Sequence, residues 1–153
     1  MDIGDRLPEL SLEDQAGEKV ALSTIGEGPL VVYFYPKDDT PGCTNEAKDF
    51  TALAPEFAAA GASVVGISRD SVAKHAKFVA KHDLGVRLLS DEDGSACEAF
   101  GTWVEKSLYG RKYMGIERAT FLFDAQGNLA REWRKVRVKG HADAVIEAVR
   151  ALS

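Results

Sequence analysis

The amino-acid sequence predicts an α/β fold in which helices flank a central mixed β-sheet. Short runs rich in valine, isoleucine and leucine alternate with stretches whose apolar residues recur at helical spacing. This alternation, followed near the end of the chain by two adjacent strands and a last helix, is typical of a mixed sheet covered by helices. No linker, repeat or low-complexity tract divides the 153 residues, so we predict a single domain over residues 1–153.

The first half of the chain predicts an N-terminal β-hairpin and then strands and helices in alternation. The hairpin turns between Asp14 and Gly17, because Asx and glycine residues supply turn geometry. Pro55 lies inside the first predicted helix and should kink it, whereas Ser71 caps the second. The predicted elements are a hairpin over 10–22, a strand over 30–35, a helix over 44–60, a strand over 63–68 and a helix over 71–83.

The second half predicts smaller elements and one long connection. Turn residues and scattered aromatics over 102–117 indicate a loop. In the basic stretch 131–139, valines alternate with cations, which favours a half-buried strand whose charges protect a sheet edge over a nucleic-acid-binding segment. The predicted elements are a strand over 86–89, a short helix over 94–100, strands over 118–123 and 129–138, and a helix over 141–152.

Composition excludes several classes of function. Apolar residues make up 45% and charged residues 28% of the chain, as in an ordinary soluble globule. The net charge of −5 disfavours a general nucleic-acid binder. No apolar run approaches the roughly 18–20 residues of a membrane helix, and the first residues lack the pattern of a secretory signal. Two cysteines form no disulfide framework, so we expect a cytoplasmic protein without a membrane partner.

Cys43 is the residue that carries the strongest chemical signal. It follows the predicted strand 30–35 and opens a helix, where free backbone N–H groups and the helix dipole favour thiolate over thiol. A lone cysteine is by itself more often structural. Here Gly42 removes side-chain bulk, Thr40 can place a hydroxyl beside the sulfur, and Pro36 and Pro41 stiffen the loop. We therefore predict a reactive and accessible thiol.

Other patterns of catalytic or metal-binding residues are missing from the sequence. There is no Cys-x-x-Cys motif, which argues against two-thiol exchange within one motif. His75 and His82 are two helical turns apart, roughly 10 Å by helix rise, which is too far for one metal ion. We interpret both as part of a solvated helix face, and predict neither a metal nor a cofactor.

The segment around Cys43 resembles the active-site signature of the peroxiredoxins, and in detail that of the bacterioferritin comigratory protein or peroxiredoxin Q group. It reads Tyr35-Pro36-Lys37-Asp38-Asp39-Thr40-Pro41-Gly42-Cys43-Thr44-Asn45-Glu46-Ala47. The Pro-x-x-x-Thr-x-x-Cys core is specific, and the likeness extends over nearly the whole chain. Further similar segments are residues 4–8, 65–68, 88–91 and 113–122.

This resemblance implies a thioredoxin-like fold and the reduction of hydroperoxides. By position, Cys43 matches the peroxidatic nucleophile, Thr40 and Pro36 match other motif positions, and Arg118 matches a distant active-site arginine. The chemistry agrees, because a guanidinium has forked donors that can hold both sulfur and peroxide oxygen, and the N–H groups of Gly42 and Cys43 supply fixed dipoles. Glu46 either orients Arg118 or the loop, or is a first-turn acid suited to the helix dipole.

The second thiol is where this chain departs from its relatives. Many members of the group carry it five residues after the first, a position that is Lys48 here. The remaining candidate is Cys97, which forms an apolar set at helical spacing with Phe100 and Val104. Core packing is our preferred interpretation of Cys97, and a role as resolving thiol is the alternative. We therefore predict a one-cysteine cycle in which thioredoxin or a small thiol reduces the sulfenic acid.

The sequence also allows functions other than that of a peroxidase. Cys43 could instead serve a peroxide-sensing redox switch or a holdase-type binding protein, and a thiol–disulfide oxidoreductase on the same fold is disfavoured by the missing Cys-x-x-Cys motif. Residues 109–114 and Trp103 either wall the substrate pocket or form a loop anchored by its aromatics. The chain stops soon after its last helix, which favours a monomer over subgroups that dimerise through C-terminal extensions.

Overall fold

Across residues 1–152, which the computed structural model describes, seven strands form one mixed sheet and two more form a separate hairpin. The order in the large sheet is β2-β1-β5-β4-β3-β8-β9, with β3, β4 and β5 parallel and the others antiparallel to their neighbours. The strands are β1 (Ser11–Asp14), β2 (Lys19–Ala21), β3 (Leu30–Phe34), β4 (Ser63–Ser68), β5 (Arg87–Ser90), β6 (Trp103–Leu108), β7 (Arg111–Ile116), β8 (Ala119–Phe123) and β9 (Leu129–Trp133).

Helices cover both faces of the large sheet. They are α1 (Pro41–Ala52), α2 (Ala54–Ala59), α3 (Val72–His82), α4 (Ser95–Phe100) and α5 (His141–Arg150). The core residues of α1, α2, α3 and α5 lie in one hydrophobic cluster, and those of α4 lie in the other. The central strand β3 contributes residues to both clusters, because its alternate side chains point to opposite faces of the sheet. Val31 and Tyr33 face the first cluster, and Val32 and Phe34 the second.

The mixed α/β class and the N-terminal hairpin are confirmed. The hairpin turn is held by Asp14, whose Oδ1 accepts the N–H groups of Ala16 and Glu18 at 2.9 and 3.1 Å. The predicted serine cap is also present, since the Lys74 N–H donates to Ser71 Oγ at 3.2 Å. Residues 63–68 form a strand with the predicted limits.

The helix predicted over 44–60 is two helices, and the first begins earlier than predicted. Pro41 opens α1, so Cys43 lies inside its first turn. The chain breaks at Leu53, and Pro55 then occupies the first turn of α2. Proline is tolerated there because a first-turn N–H has no partner within the helix, and the expected kink has become a break.

The prediction of a loop over 102–117 is wrong, because these residues form the β6–β7 hairpin. Tyr109 and Gly110 form its two-residue turn with φ values of 50° and 78°, the left-handed backbone that such turns require. Four of the six residues of β7 are exposed, and polar and apolar side chains occur on both of its faces. The period-two alternation that marks a half-buried strand is therefore absent from the sequence.

The last strand is shorter than predicted. β9 ends at Trp133, and Lys135 adopts a left-handed φ of 48° that cannot continue a strand. β9 lies at one edge of the large sheet. Val136 and Val138, whose alternation with cations predicted a half-buried strand, lie beyond its end and outside any strand, so that interpretation of residues 134–139 is wrong. Within residues 1–152, we find no helix with the length and apolarity that crossing a membrane requires.

Strand register sets the position of the candidate site. Phe34, the last residue of β3, pairs with Ala119, the first residue of the antiparallel strand β8. The loop that leaves β3 toward α1 therefore begins beside Arg118, which precedes β8. Two segments 75 residues apart in sequence meet at this end of the sheet.

Candidate active site

Cys43 lies in the first turn of α1, with Thr40 at the N-cap. The Thr40 side chain makes no capping hydrogen bond within the described chain, and its hydroxyl instead donates to the Lys37 carbonyl at 2.9 Å. Pro41 has no N–H, so the amides of Gly42 and Cys43 are the first-turn donors that an incoming anion or oxygen atom could use. Whether the Thr40 hydroxyl also acts at the sulfur remains a prediction.

The Arg118 guanidinium reaches the sulfur of Cys43. Its Nη2 donates to Cys43 Sγ at 3.4 Å. The same nitrogen lies 3.1 Å from the point that a Cβ on Gly42 would occupy, so the absence of a side chain at Gly42 lets the guanidinium lie against the helix start. The structure thus brings together Cys43, Gly42 and Arg118, as the sequence analysis expected.

Glu46 holds the other side of the guanidinium. Arg118 Nη1 donates to Glu46 Oε1 at 2.7 Å, and the Glu46 side chain is buried one turn along α1 from Cys43. Burial raises the pKa of Glu46 to about 7, and Arg118 opposes part of that rise. Of the two interpretations of Glu46, the geometry favours the one in which it orients Arg118.

Cys43 is less open than predicted. Only 2% of its surface is exposed, and it belongs to the core cluster that includes Tyr33, Ala47 and Phe50. The physical reason is that α1 packs against the sheet through the same helix face that carries Cys43. The sulfur is nevertheless bordered by a charged group and not by hydrocarbon alone, because Arg118 is in contact with it.

Two buried polar groups sit behind the thiol. The Tyr33 hydroxyl and Glu46 Oε2 have no hydrogen-bond partner among residues 1–152. Burial, and then the charges of Glu46 and Cys43, raise the pKa of Tyr33 well above its usual value, so it stays protonated. His141 accepts or donates a 2.7 Å hydrogen bond with the Thr120 hydroxyl, and burial, followed by Arg118, lowers the pKa of His141 to about 4.

The loop before α1 is anchored by ionisable groups that the sequence analysis did not assign. Asp38 accepts the Tyr35 hydroxyl at 2.5 Å, and Nδ1 of His75 lies 2.6 Å from the other oxygen of Asp38. The second ring nitrogen of His75 donates to the Leu89 carbonyl at 3.0 Å. Next along the loop, Asp39 bonds Lys81 and His82 of α3 at 2.7 and 2.8 Å.

The interpretation of His75 as a solvated residue is wrong. His75 is fully buried, and it lies on the same face of α3 as Phe78, three residues later. That spacing was visible in the sequence and could have indicated a histidine facing the core. His82 is partly exposed and pairs with Asp39.

One buried group of side chains has the composition of a metal site. Ligand atoms of Asp38, Asp70 and His75 lie within 4.8 Å of one another. These atoms already serve hydrogen bonds, since Asp70 accepts the Asp38 N–H at 2.8 Å and the Ser68 hydroxyl at 2.6 Å. The group is therefore explained by its role in fixing the loop.

Cys97 is separated from Cys43 by the central sheet. It is fully buried in the hydrophobic cluster on the opposite face of the sheet from the cluster that contains Cys43. Burial, reinforced by Asp91, raises the pKa of Cys97 to about 12. Both features favour core packing over a resolving role.

Residues of the β6–β7 hairpin lie beside the start of the loop that leads from β3 to α1. Trp103, Tyr113 and Met114 line a cavity of about 560 Å³ together with Pro36 and Lys37. Cys43 and Arg118 are not among the residues lining this cavity, so a role of the hairpin in walling the substrate pocket stays a prediction. Tyr109 is 97% exposed, so it does not anchor the segment.

Comparison with known proteins identifies the family. The profile of the AhpC/TSA family matches residues 3–132. The chain belongs to the AhpC/TSA family. Its resemblance to peroxiredoxins of the bacterioferritin comigratory protein group is confirmed by relatives of nearly equal length. Peroxiredoxin Bcp of Xanthomonas campestris pv. campestris is 49% identical over 143 residues, covering 94% of this chain and 89% of that protein. Peroxiredoxin Bcp of Bacillus subtilis is 46% identical over 153 residues, covering 100% of this chain and 98% of that protein.

Solved peroxiredoxin structures share the whole architecture. A cysteine-to-serine variant of Xanthomonas campestris peroxiredoxin Q superposes with a TM-score of 0.92 at 46% identity, covering 100% of both chains. Another structure, of the Xanthomonas campestris bacterioferritin comigratory protein, concerns that protein's alkyl peroxide reduction activity. It superposes with a TM-score of 0.89 at 46% identity, covering 96% of this chain and 98% of that one. The thioredoxin-like peroxiredoxin fold predicted from the resemblance is confirmed.

Proposed function

We propose that this peroxiredoxin reduces hydrogen peroxide and organic hydroperoxides through Cys43. The observation that carries the proposal is the contact between Cys43 Sγ and Arg118 Nη2 at 3.4 Å in the first turn of a helix. Membership of the family and the alkyl peroxide reduction described for the Xanthomonas campestris relative support the same substrate class.

The reaction begins with attack of the Cys43 thiolate on the terminal oxygen of ROOH. A sulfur–oxygen bond forms as the oxygen–oxygen bond breaks, and the electron pair leaves on RO⁻, which takes a proton from solvent and departs as ROH. The sulfur is oxidised to a sulfenic acid, which keeps the hydrogen of the peroxide as its own hydroxyl proton.

Charge moves from sulfur to the leaving oxygen during this step. Arg118 has several N–H donors and already contacts the sulfur, so a second donor can meet the peroxide oxygen. The free amides of Gly42 and Cys43 add fixed dipoles. Glu46 keeps the guanidinium oriented through its 2.7 Å ion pair. The protein thus supplies donors where negative charge develops and needs no metal or organic cofactor for this step.

Return to the thiolate is proposed to use an external thiol. Cys97 is buried on the opposite face of the sheet, and its raised pKa of about 12 disfavours a thiolate there. Thioredoxin or a small thiol would attack the sulfenic sulfur, release water and leave a mixed disulfide. A second thiol would then free Cys43.

Paired cysteine variants test the assignment. With hydrogen peroxide and dithiothreitol, Cys43→Ser is expected to abolish turnover, whereas Cys97→Ser is expected to keep most of it. Cys97→Ser serves as the matched control, because it removes a thiol of the same chain without touching the site. Retained turnover in Cys43→Ser, or equal loss in both folded variants, would disprove the proposal.

A redox switch is the second candidate, and the 2% exposure of Cys43 favours it, because a sensor can tolerate slow access of peroxide. The two functions differ in rate. The rate of thiol loss can be measured by stopped flow after mixing reduced protein with hydrogen peroxide. If the positioned donors act as proposed, this rate should be at least about a hundredfold higher than that of a free thiol at the same pH. A rate equal to that of the free thiol favours the switch.

A further inference from the structure

The β6–β7 hairpin presents an apolar surface to solvent. Of the large hydrophobic residues exposed within residues 1–152, four of six lie on this hairpin: Leu108, Tyr109, Tyr113 and Met114. Leu108 and Tyr109 stand at the tip with 56% and 97% of their surfaces exposed. Scattered single hydrophobics are normal on a protein surface, but a cluster on one protruding element indicates an interaction site.

The hairpin is joined directly to the catalytic centre. Only Glu117 separates the end of β7 from Arg118, and the Glu117 N–H closes the base of the hairpin by donating to the Thr102 carbonyl at 2.7 Å. Tyr113 and Met114 line the cavity that also contains Pro36, at the start of the Cys43 loop. A protein seated on the hairpin would therefore also lie against this loop.

The surface around the loop is basic although the chain is acidic. Lys37 lines two adjoining cavities; the first adds Arg69 and Lys106, and the second adds Lys74, Lys77 and Lys81. Four acids line the same cavities: Asp38 and Asp70 are buried in the loop anchor, Asp39 is paired with Lys81 and His82, and Glu92 is exposed. The six cations therefore outnumber the acids on this side. The net charge of the whole chain is −5, so the positive character is local to this side.

We propose that the β6–β7 hairpin and the basic rim beside it are the docking surface for a protein dithiol reductant with an acidic surround to its cysteine pair. The inference rests on the proposed function, because it supplies the reductant of the Cys43 sulfenic acid. Apolar contact with the hairpin tip gives affinity, and opposite charge brings the two faces together in the correct orientation.

The chemistry of the docked complex is balanced within the two proteins. A thiolate of the partner attacks the Cys43 sulfur, so a disulfide bond forms while the sulfur–oxygen bond breaks, and the oxygen leaves as water after protonation. The second thiolate of the partner then attacks the partner's own sulfur and releases the Cys43 thiolate. Cys43 is reduced by two electrons and the partner dithiol is oxidised to a disulfide.

Charge argues against a second copy of this chain as the occupant. A symmetric pair would place the same surface against itself, which would bring the lysines around the loop close to one another. Like charges opposed in this way disfavour association. A partner with an acidic surface meets no such repulsion.

The test uses a double variant, Leu108→Thr with Tyr109→Asn. Threonine keeps β propensity, and asparagine before Gly110 favours the existing turn, so the hairpin keeps its fold while losing its apolar tip. The matched control is Ile3→Thr. Ile3 is also exposed, and it lies near the opposite end of the sheet, where the Gly4 N–H donates to the Leu129 carbonyl.

Three measurements are made on each protein with hydrogen peroxide as oxidant. They are turnover with a bacterial thioredoxin kept reduced by its reductase and NADPH, turnover with dithiothreitol, and the single-turnover rate of Cys43 oxidation. The hairpin variant is expected to raise KM for thioredoxin about tenfold and to leave the other two rates unchanged. KM for thioredoxin should also rise with salt, whereas the dithiothreitol rate should not.

Several results would overturn the docking surface. They are an unchanged KM for thioredoxin in the hairpin variant, an equal loss with both reductants, a KM that is independent of salt, or a dimer in sedimentation that the variant abolishes. A wild-type protein that turns over with dithiothreitol but not with thioredoxin overturns docking and leaves the proposed function intact. Failure of the proposed function is a different result, namely no oxidation of Cys43 by peroxide.

Discussion

Replacing Glu46 with glutamine should change how the stability of this peroxiredoxin depends on pH. Glu46 is buried against Arg118, and burial raises its pKa from 4.5 to about 7. Between these two values the folded protein holds a proton that the unfolded chain has released. The contribution of Glu46 to stability is therefore full below the unfolded pKa and is lost as pH rises through the folded pKa.

The shift sets the size of the effect. One pKa unit corresponds to about 1.4 kcal/mol, so the loss attributable to Glu46 between pH 5 and pH 8 is on the order of 2–3 kcal/mol. His141 acts in the opposite direction, because its pKa is lowered to about 4 and its neutral form is the one the fold accepts. The informative quantity is accordingly the difference between variant and wild type at each pH.

Urea unfolding of the reduced protein at pH 5 and pH 8 gives this difference. The free energy of unfolding of Glu46→Gln, relative to wild type, should rise by about 2–3 kcal/mol between the two conditions. Glu56→Gln, at an exposed position on α2, is the matched control and should show no such rise. A Glu46→Gln difference that is the same at both pH values would refute the assignment of a buried, titrating carboxyl group to this site.

Three further perturbations probe the site and its support. Arg118→Lys keeps a positive charge but loses the forked donors, and should slow oxidation of Cys43 by peroxide by roughly 10²–10³-fold in stopped flow; a rate within twofold of wild type contradicts the role of the guanidinium. Gly42→Ala places a methyl group 3.1 Å from Arg118 Nη2 and should slow the same reaction about tenfold without lowering the thermal midpoint, so an unchanged rate counts against the close approach. His75→Ala leaves the buried Asp38 carboxyl group without its histidine partner and should cost about 3–5 kcal/mol in urea unfolding. His82→Ala removes a partly exposed histidine whose partner, Asp39, is exposed, and should cost much less; similar losses would be inconsistent with the buried pair.

Local sequence patterns predicted those elements whose residues are buried on one or both faces. β3 and β4 are short runs of apolar residues, and α3 carries both a serine cap and an apolar stripe, so their limits followed closely. The β6–β7 hairpin was missed because it packs little against the core and therefore has no alternation to detect. Its only strong local signal was Gly110 at the turn.

Some residues of the candidate site could likewise be predicted from local sequence, and others could not. Cys43 and Gly42 were predicted from local chemistry, since the helix start and the absence of a side chain are properties of adjacent residues. Arg118 followed from the family resemblance, because its approach depends on the antiparallel register of β3 and β8, which no short pattern encodes. The pairing of Asp38 with His75 joins two elements 37 residues apart and was visible only in the fold.

The most direct test of the account is an intact-mass spectrum of reduced wild-type protein after one equivalent of hydrogen peroxide, with peptide mapping of the modified residue. We predict a product heavier by one oxygen atom, with the sulfenic acid located at Cys43 and Cys97 still a free thiol. A dominant disulfide between Cys43 and Cys97, or an oxygen atom located at Cys97, would contradict it.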